Sequence, residues 1–331
     1  MPSNAIKQIA YLFGAGATHA ELTNLNPDLI EEKRGLLISN VSSRVIDLAR
    51  QNKSYLKNVE SVSGIKGSLN IELLISLIEH SKVHRWNAKT FRLRKLVEDD
   101  IKGILSPSQT KRFFLHKALL ELHTHKSTKL QEELVGLISL NYDEVLDQAY
   151  KVIFRKDPNY CFSFVDHEPF DERVPLLKLH GSFNWDKKKI HGRYRTVEII
   201  PLGATKSYLH VPYGFIWTRA LEILIRCDVL RVIGCSLSPN DGHLIDLLFK
   251  AHLERSKPFE IQIVGPDEIG GVVKNNYGFF PEIKTLLELE GSLIPERNPP
   301  NPFKTWLKYK SIAMLGQTTA GQKIHLSKVI A

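Results

Sequence analysis

The stretch that decides the fold is Ile9–Thr18, whose sequence is IAYLFGAGAT. Its first five residues form an apolar run typical of a strand buried on both faces, and Gly14-Ala15-Gly16 follows directly. A glycine-containing turn between a strand and a helix lets backbone approach a diphosphate, and the amino end of the helix supplies N–H donors. The stretch therefore predicts the first strand of an α/β domain followed by a candidate phosphate-binding turn. A tight turn that binds nothing is the alternative explanation of the same glycines.

Composition places the chain among globular proteins. It has 331 residues, of which 43% are hydrophobic and 24% charged, and this balance excludes the disordered and fibrous classes. The chain has no apolar run of the roughly eighteen residues that a membrane span needs, and its start lacks the pattern of a secretion signal. Three cysteines without a Cys-x-x-Cys pair argue against a disulfide framework and indicate a reducing cytoplasm. The net charge of +9 favours an anionic partner, either a phosphate ligand or a nucleic acid.

The pattern between about residues 28 and 130 is helical. Apolar residues recur at the spacing of one helix face at Ile71, Leu74, Ile75 and Ile78. Two further helices are predicted at Thr90–Ile104 and Lys111–His123, and the polar stretch Gln51–Ser68 is predicted to be a loop. We therefore expect a helical insertion after the first strand.

Beyond residue 130 apolar runs alternate with helical patterns. The predicted strands are Leu134–Leu140, Val174–Leu179, Val229–Ile233 and Glu260–Val264. The predicted helices are one that ends near Tyr150, Trp217–Arg226 and Leu244–Glu254. This alternation predicts an α/β fold with a Rossmann-like parallel sheet and helices on both of its faces.

The domain layout that follows is simple. We expect one domain over residues 1–290, with the helical insertion at about 28–130, and a basic tail over residues 291–331. The lysines of that tail indicate either an assembly segment, a nucleic-acid contact or merely a solvated tail.

Polar residues and glycines collect where the predicted strands end. They are Gly14, Ala15, Gly16 and Thr18 after the first strand, Asn141 and Asp143 after the second, His180 after the third, and Gly234, Ser236 and Asp241 after the fourth. Because the carboxyl ends of parallel strands share one edge of a sheet, where ligands bind, we expect these residues to form one site.

Each of these residues also has a purely structural explanation. Asn141 and Asp143 are equally suited to cap the next helix, and His180 is equally suited to be a buried core histidine. Cys235 adjoins the same edge and is best explained as a small packed residue. His19 stands where a dehydrogenase fingerprint has its third glycine, which argues against hydride transfer.

Three motifs in series resemble the sirtuin-like, NAD-consuming family. They are Leu12–Thr18 (LFGAGAT), Ser139–Asp143 (SLNYD) and Lys178–Ser182 (KLHGS). Segments similar to the bacterial branch of that family support them. These are Asn70–Leu74, Ile200-Pro201 with Thr205-Lys206, Trp217 with Ala220, and Ile233–Leu237 with Asp241. The resemblance covers residues 9–23 and 131–265, and it implies an NAD pocket at the expected edge.

The chain also departs from the deacylating sirtuins. It lacks their four-cysteine zinc module, since three scattered cysteines do not supply the paired ligands that zinc needs, so no zinc is expected. It also lacks the Gly-Ile-Pro-Asp-Phe-Arg-like segment after the glycine turn. Both departures argue against protein deacylation.

The resemblance therefore implies an NAD+ glycohydrolase that gives ADP-ribose and nicotinamide and serves as a regulated effector of antiphage defence. In that reading Asn141 and His180 are the catalytic residues. The residues that bind NAD+ are then Gly14, Ala15, Gly16, Thr18, Asn141, Asp143, Gly234, Ser236 and Asp241.

The alternatives are a deacylase or ADP-ribosyltransferase that uses the same pocket, and a nucleotide-sensing module without catalysis in a nucleic-acid-associated complex. The resemblance also implies a homo-oligomer and a partner motor ATPase or nuclease, with no membrane association.

Overall fold

The computed structural model describes fifteen stretches of the chain. They are residues 6–25, 36–51, 70–80, 87–105, 115–124, 132–163, 173–185, 199–200, 208, 210–238, 241–256, 260–264, 273, 277 and 283–285. Of the predicted loop Gln51–Ser68, only Gln51 lies within the described residues, and it ends a helix. Thr205 and Lys206 and the basic tail 291–331 also lie outside them.

Within the described chain, six parallel strands form one sheet. They are β1 (Lys7–Phe13), β2 (Glu132–Ser139), β3 (Leu176–Lys178), β4 (Val229–Ile233), β5 (Glu260–Val264) and β6 (Ile283–Thr285). Their order across the sheet is β3-β2-β1-β4-β5-β6, and every neighbouring pair is parallel. The chain builds one half of the sheet outward from β1 and then returns to build the other half from β4. The point where the strand order reverses therefore lies between β1 and β4, and the Rossmann-like prediction is confirmed.

Helices follow the strands and also form the insertion. They are α1 (Ala15–Leu25), α2 (Ile38–Gln51), α3 (Ile71–His80), α4 (Asn87–Ile104), α5 (Leu115–Glu121), α6 (Val145–Phe154), α7 (Tyr213–Arg226) and α8 (Gly242–Glu254). None of the described helices combines the length and hydropathy of a bilayer-spanning segment.

The sheet carries a hydrophobic core on each face. Alternate residues of β1 point to opposite faces, as the pleat of a strand requires. Ala10 and Leu12 belong to the core under α7 and α8, whereas Tyr11 and Phe13 belong to the core under α1, α5 and α6. Helices thus cover both faces, which explains why the strands read as continuous apolar runs.

The helical insertion has a separate small core of its own. It is formed by Val41, Val45, Ala49, Ile71, Leu74, Ile75, Leu93 and Val97 of α2, α3 and α4. The insertion also contacts the sheet domain. Ile101 and Ile104 of α4 pack there against Leu22 of α1 and Val145 of α6. The predicted helical character of this region is confirmed for the described residues.

Candidate active site at the carboxyl edge of the sheet

The strand register brings the predicted segments to one edge. Phe13 at the end of β1 pairs with Ser139 of β2 on one side and with Ile233 of β4 on the other, and Ser139 pairs with Lys178 of β3. Gly14, Asn141, His180 and Gly234 each follow this line of paired residues within one or two positions. Neighbouring strands are about 4.8 Å apart, so these four segments form adjacent parts of one rim.

The glycine turn packs against the end of β4. Gly14 N–H donates to Ile233 O at 3.0 Å, and Gly16 N–H donates to Gly234 O at 2.8 Å. Gly234 has φ +59°, and a Cβ at this position would overlap the backbone of Ala17 and Gly16. These glycines therefore permit the close approach of two loops at the point where the strand order reverses. Ala15 is exposed on this turn, and Gly16 is half-buried.

Asn141 is held by a chain of hydrogen bonds from α1. Its Nδ2 donates to Gly14 O at 3.0 Å and to Thr18 Oγ1 at 3.1 Å. Thr18 Oγ1 in turn donates to Asp143 Oδ2 at 2.9 Å, and Asp143 Oδ1 accepts from Val145 N–H at the start of α6. Since Gly14 O only accepts hydrogen bonds, the Asn141 amide is oriented with Nδ2 toward it, which leaves Oδ1 as the acceptor that this side chain can offer a ligand.

Thr18 and Asp143 have a supporting position in this arrangement. Thr18 is 1% exposed and Asp143 is 7% exposed, and both hydrogen bonds of Asp143 are made within the protein. Asp143 thus accepts from the first N–H of α6 and orients Asn141 through Thr18, so its carboxylate supports the Asn141 loop.

A buried lysine ties the Asn141 loop to the His180 loop. Lys178 at the end of β3 is completely buried, and its Nζ lies 2.9 Å from Asp147 Oδ2 of α6. The same Nζ donates to Asp143 O, and to Ser182 Oγ at 2.8 Å. Phe183 N–H also donates to Tyr142 O at 3.0 Å. These buried contacts therefore hold together the two loops that carry the candidate catalytic residues.

His180 lies in this edge with a carboxylate beside it. The His180 ring is buried, and its Nε2 lies 3.2 Å from Asp241 Oδ2. Among the described residues no group completes a hydrogen bond to His180 Nε2 with acceptable geometry. The other Asp241 oxygen, Oδ1, accepts from Leu244 N–H and caps α8. One side chain therefore fixes the start of α8 and places a negative charge next to the imidazole.

Tyr208 is a residue of this site that sequence reasoning missed. Its ring packs on Trp217 at 4.1 Å and on His243 at 4.3 Å between centroids. Its hydroxyl is buried, and the described residues provide it with no hydrogen-bond partner. Burial, with the Asp241 charge as the second cause, raises the pKa of Tyr208 far above its usual range. Because buried polar atoms nearly always have partners, Tyr208 Oη and His180 Nε2 are the atoms here that a bound molecule or water is expected to satisfy.

Tyr142 and Trp217 hold the backbone around His180. Tyr142 lies with its ring centroid 6.2 Å from that of His180, and its hydroxyl donates to Ile200 O at 2.6 Å. Trp217 Nε1 donates to Leu179 O at 3.0 Å, so α7 fixes the end of β3. These contacts join residues that are far apart in the chain, so motifs and periodicity alone do not predict them.

The remaining predicted residues differ in exposure. Ser236 is exposed after β4, in a position to reach a ligand at the edge. Cys235 is buried, and this burial raises the pKa of its thiol to about 11. A thiol with that pKa is protonated at neutral pH, which agrees with a packing role.

The described residues hold no group of three His, Cys, Asp or Glu side chains arranged to bind a metal ion. The three cysteines, Cys161, Cys227 and Cys235, are all buried.

Comparison with known proteins gives matches to solved structures alone. No protein-family model and no curated protein matches the chain. It is similar to a mutant Sir2 homologue in complex with 2′-O-acetyl ADP ribose, at 15% identity and a TM-score of 0.36, covering 79% of this chain and 81% of that one. It is also similar to a structure described as the structural basis for the mechanism and regulation of Sir2 enzymes, at 14% identity and a TM-score of 0.33, covering 95% of this chain and 94% of that one.

Proposed function

We propose that the chain is an NAD+ glycohydrolase that cleaves the bond between nicotinamide and ribose. The observation that carries this proposal is the pairing of buried His180 with Asp241, at 3.2 Å, on the same sheet edge as an oriented Asn141 and the glycine turn. Hydrolysis of NAD+ can use each part of this combination, which is a proton acceptor, a fixed acceptor oxygen and a helix amino end at the point where the strand order reverses.

The binding part of the proposal rests on the turn between β1 and α1. The amino end of α1 carries a partial positive charge that favours phosphate groups. Two N–H groups of the turn, those of Gly14 and Gly16, are committed to β4 backbone. We therefore assign diphosphate contact to the surface that exposed Ala15 and half-buried Gly16 form with the end of α1. Gly234 keeps the turn close to β4, and Ser236 is the exposed polar group on the β4 side.

The reaction needs little acid catalysis. The electron pair of the broken bond stays on the pyridinium nitrogen and neutralises its positive charge, so nicotinamide leaves as a neutral molecule. Positive charge develops on the ribose, where fixed oxygen atoms such as Asn141 Oδ1 stabilise it. Water adds to C1′ and gives a proton to His180, which yields ADP-ribose. The Asp241 carboxylate beside Nε2 stabilises the imidazolium that this proton transfer produces.

The test is nicotinamide release from NAD+ by the full-length protein with no acceptor present. His180→Ala is expected to lower the rate by about 10²- to 10⁴-fold, the usual contribution of a general base. His210→Ala is the matched control, because His210 is an exposed histidine at the start of the α7 region. Equal rates for the two folded variants would remove His180 from the chemistry.

The same assay separates hydrolysis from the alternative reactions. A deacylase or an ADP-ribosyltransferase needs an acyl-lysine or protein acceptor, whereas a hydrolase consumes NAD+ alone. If NAD+ turnover appears only when an acylated peptide or an acceptor protein is added, the hydrolase proposal fails. Saturable NAD+ binding without turnover would indicate a nucleotide-sensing module.

A role in antiphage defence is the physiological part of the proposal. Unregulated NAD+ hydrolysis would harm the host cell, so we infer that the cytoplasmic enzyme is controlled by homo-oligomer assembly or by a partner such as a motor ATPase or nuclease. Light scattering of the protein, alone and with the products of adjacent genes, combined with the nicotinamide assay, tests this control. Full activity of a dilute monomer would argue against it.

A further inference from the structure

A cavity lined by arginines lies at the amino edge of the sheet, opposite the candidate active site. Its volume is about 250 Å³, and α7 and the first residues of β1 and β2 form its walls. The lining residues that determine its chemistry are Glu133, Val135, Arg173, Arg219, Ile223 and Arg226. From Glu133 to Ser139 the strand β2 rises about 20 Å, so this cavity is separate from the carboxyl edge.

Packing of α7 on the sheet explains why the cavity exists. Gly136 lets α7 approach β2 closely, since a Cβ there would contact the Ile223 side chain. Toward the amino edge, Val135 is an extra residue of β2 between Leu134 and Gly136, which pair with Ile9 and Ala10, and the cavity lies beside it. Arg219, Ile223 and Arg226 fall on one face of α7 because they are four and three residues apart. The cavity therefore combines an apolar floor with guanidinium groups.

The charge balance of the lining is positive. The lining holds three guanidinium groups, those of Arg173, Arg219 and Arg226, and one carboxylate, that of Glu133, while a second carboxylate, that of Glu222, pairs with Arg219 beside the cavity. The Arg219 Nη1 donates to Glu222 Oε2 at 2.7 Å, so one edge of that guanidinium is already used. Its Nε is buried, and the described residues provide no hydrogen-bond partner for it. A buried guanidinium N–H without a partner is rare and points to a missing acceptor.

We propose that this cavity binds a small organic phosphate. Guanidinium groups match the geometry and charge of phosphate oxygens, and the apolar side chains of Val135 and Ile223 suit the non-polar part of such a molecule. Glu133 opposes the negative charge of the ligand and limits its affinity. The proposal is independent of the NAD+ reaction, because none of the cavity residues belongs to the candidate active site.

The test is calorimetric titration of the full-length protein with phenyl phosphate, inorganic phosphate and phenol. We expect phenyl phosphate to bind more tightly than inorganic phosphate and phenol not to bind, because both the charge and the ring are used. The phosphate of this probe can also bind the turn between β1 and α1, so the variants below, which lie far from that turn, assign the binding to this cavity.

Three variants locate the binding. Arg219→Gln is expected to weaken phenyl phosphate binding by about tenfold or more, since a charge-assisted hydrogen bond is lost. Glu133→Gln is expected to strengthen it by about threefold, because an opposing charge is removed. Lys250→Gln, which removes an exposed positive charge on α8, is the matched control and is expected to have no effect.

Three results would overturn the proposal. They are the absence of saturable phenyl phosphate binding at millimolar concentration, equal binding by folded Arg219→Gln and wild-type protein, and weaker binding by Glu133→Gln. If Arg219→Gln does not fold, exposed Arg226→Gln replaces it with the same expected loss.

Discussion

Gly234 shows at the scale of one residue how the candidate site depends on backbone geometry. Its φ of +59° is disfavoured for residues with a side chain, and a Cβ there would overlap the backbone of Ala17. Gly234→Ala is therefore expected to lower the free energy of unfolding by about 3 kcal/mol or more. Urea denaturation measures the change.

Gly103→Ala is the matched control for this substitution. Gly103 lies in α4 with no atom within 4 Å of an added Cβ, so alanine is expected to stabilise the protein by about 0.5–1 kcal/mol. A loss of the same size for both variants would mean that the contact between the glycine turn and β4 does not carry the effect.

Asp241 combines a structural and an electrostatic contribution that one substitution separates. Asp241→Asn keeps an oxygen for the cap at Leu244 N–H but removes the negative charge 3.2 Å from His180 Nε2. We expect nicotinamide release to fall about tenfold to a hundredfold, because the imidazolium loses its counter-charge. Thermal unfolding should be nearly unchanged. A large loss of stability with an unaltered rate would show that Asp241 acts only as a cap.

His123 is a residue whose protonation opposes folding. Its Nε2 lies 2.8 Å from Tyr11 Oη, and the same oxygen accepts from Arg231 Nη1 at 3.0 Å. Burial, with the Arg231 charge as the second cause, lowers the pKa of His123 to about 4, while Glu132 opposes this shift. Between pH 6.5 and 4 the unfolded chain binds the proton more readily than the folded protein does. The free energy of unfolding therefore falls as the pH decreases through this window.

His123→Gln tests this contribution. Glutamine can accept from Tyr11 Oη but does not titrate, so the variant should lose less stability than the wild type between pH 7.5 and pH 5.0. The expected difference is about 2 kcal/mol, measured by urea denaturation at both pH values. An identical pH dependence in the two proteins would show that His123 does not contribute.

At the scale of elements, the Lys178–Asp147 ion pair joins β3 to α6 below the candidate site. Both side chains are completely buried, and Asp147 also accepts from Tyr160 Oη at 2.5 Å. Lys178→Met leaves the Asp147 charge buried without its counter-ion, so the free energy of unfolding should fall by about 3–5 kcal/mol.

The same helix provides the control for this prediction. Lys151 of α6 pairs with Asp157 at 2.9 Å, but the side chains are 44% and 81% exposed. Lys151→Met should therefore change stability by less than about 1 kcal/mol. Chemical denaturation of both variants checks the contrast, and equal effects would contradict the assigned role of Lys178.

The sequence predicted the elements with long apolar runs better than the short ones. β4 and β5 have the predicted bounds because both are apolar runs that end sharply. β6 was not predicted, since three residues give no periodic signal. Lys178 was not recognised as a buried residue, because a lysine ordinarily indicates an exposed position and only the tertiary contact with Asp147 explains it. The carboxyl ends of β2 and β3 were predicted at Leu140 and Leu179, one residue beyond the observed ends, and the partners of Asn141 and His180 were not predicted.

At the scale of the whole molecule, the sheet domain and the helical insertion meet beside the candidate site. Lys102 of α4 lies over the Phe183 ring at 4.8 Å, and Phe183 follows His180 by three residues. Glu72 of α3 contributes to the raised pKa of Tyr142, behind burial as the main cause. The insertion thus borders the loops that hold the candidate catalytic residues, while its own core is separate from the cores of the sheet.

Because the insertion and the sheet have separate cores, we expect a substitution in the core of the insertion to destabilise the insertion alone. Leu74 lies completely buried in the core of the insertion, and none of the sheet residues whose side chains are described belongs to that core. Leu74→Ala should cost about 2–5 kcal/mol locally. Hydrogen exchange is therefore expected to speed up in α2, α3 and α4 while β1 and β4 keep their protection.

Leu73→Ala gives the comparison within the same helix, because Leu73 is 51% exposed. Its exchange pattern should match the wild type. If Leu74→Ala instead raises exchange in β1 and β4 as much as in the insertion, the contact of Ile101 and Ile104 with Leu22 and Val145 couples the two parts strongly enough for them to unfold together. Faster hydrogen exchange confined to α2, α3 and α4 would mean that the insertion can unfold beside the candidate site while the sheet that positions His180 stays folded.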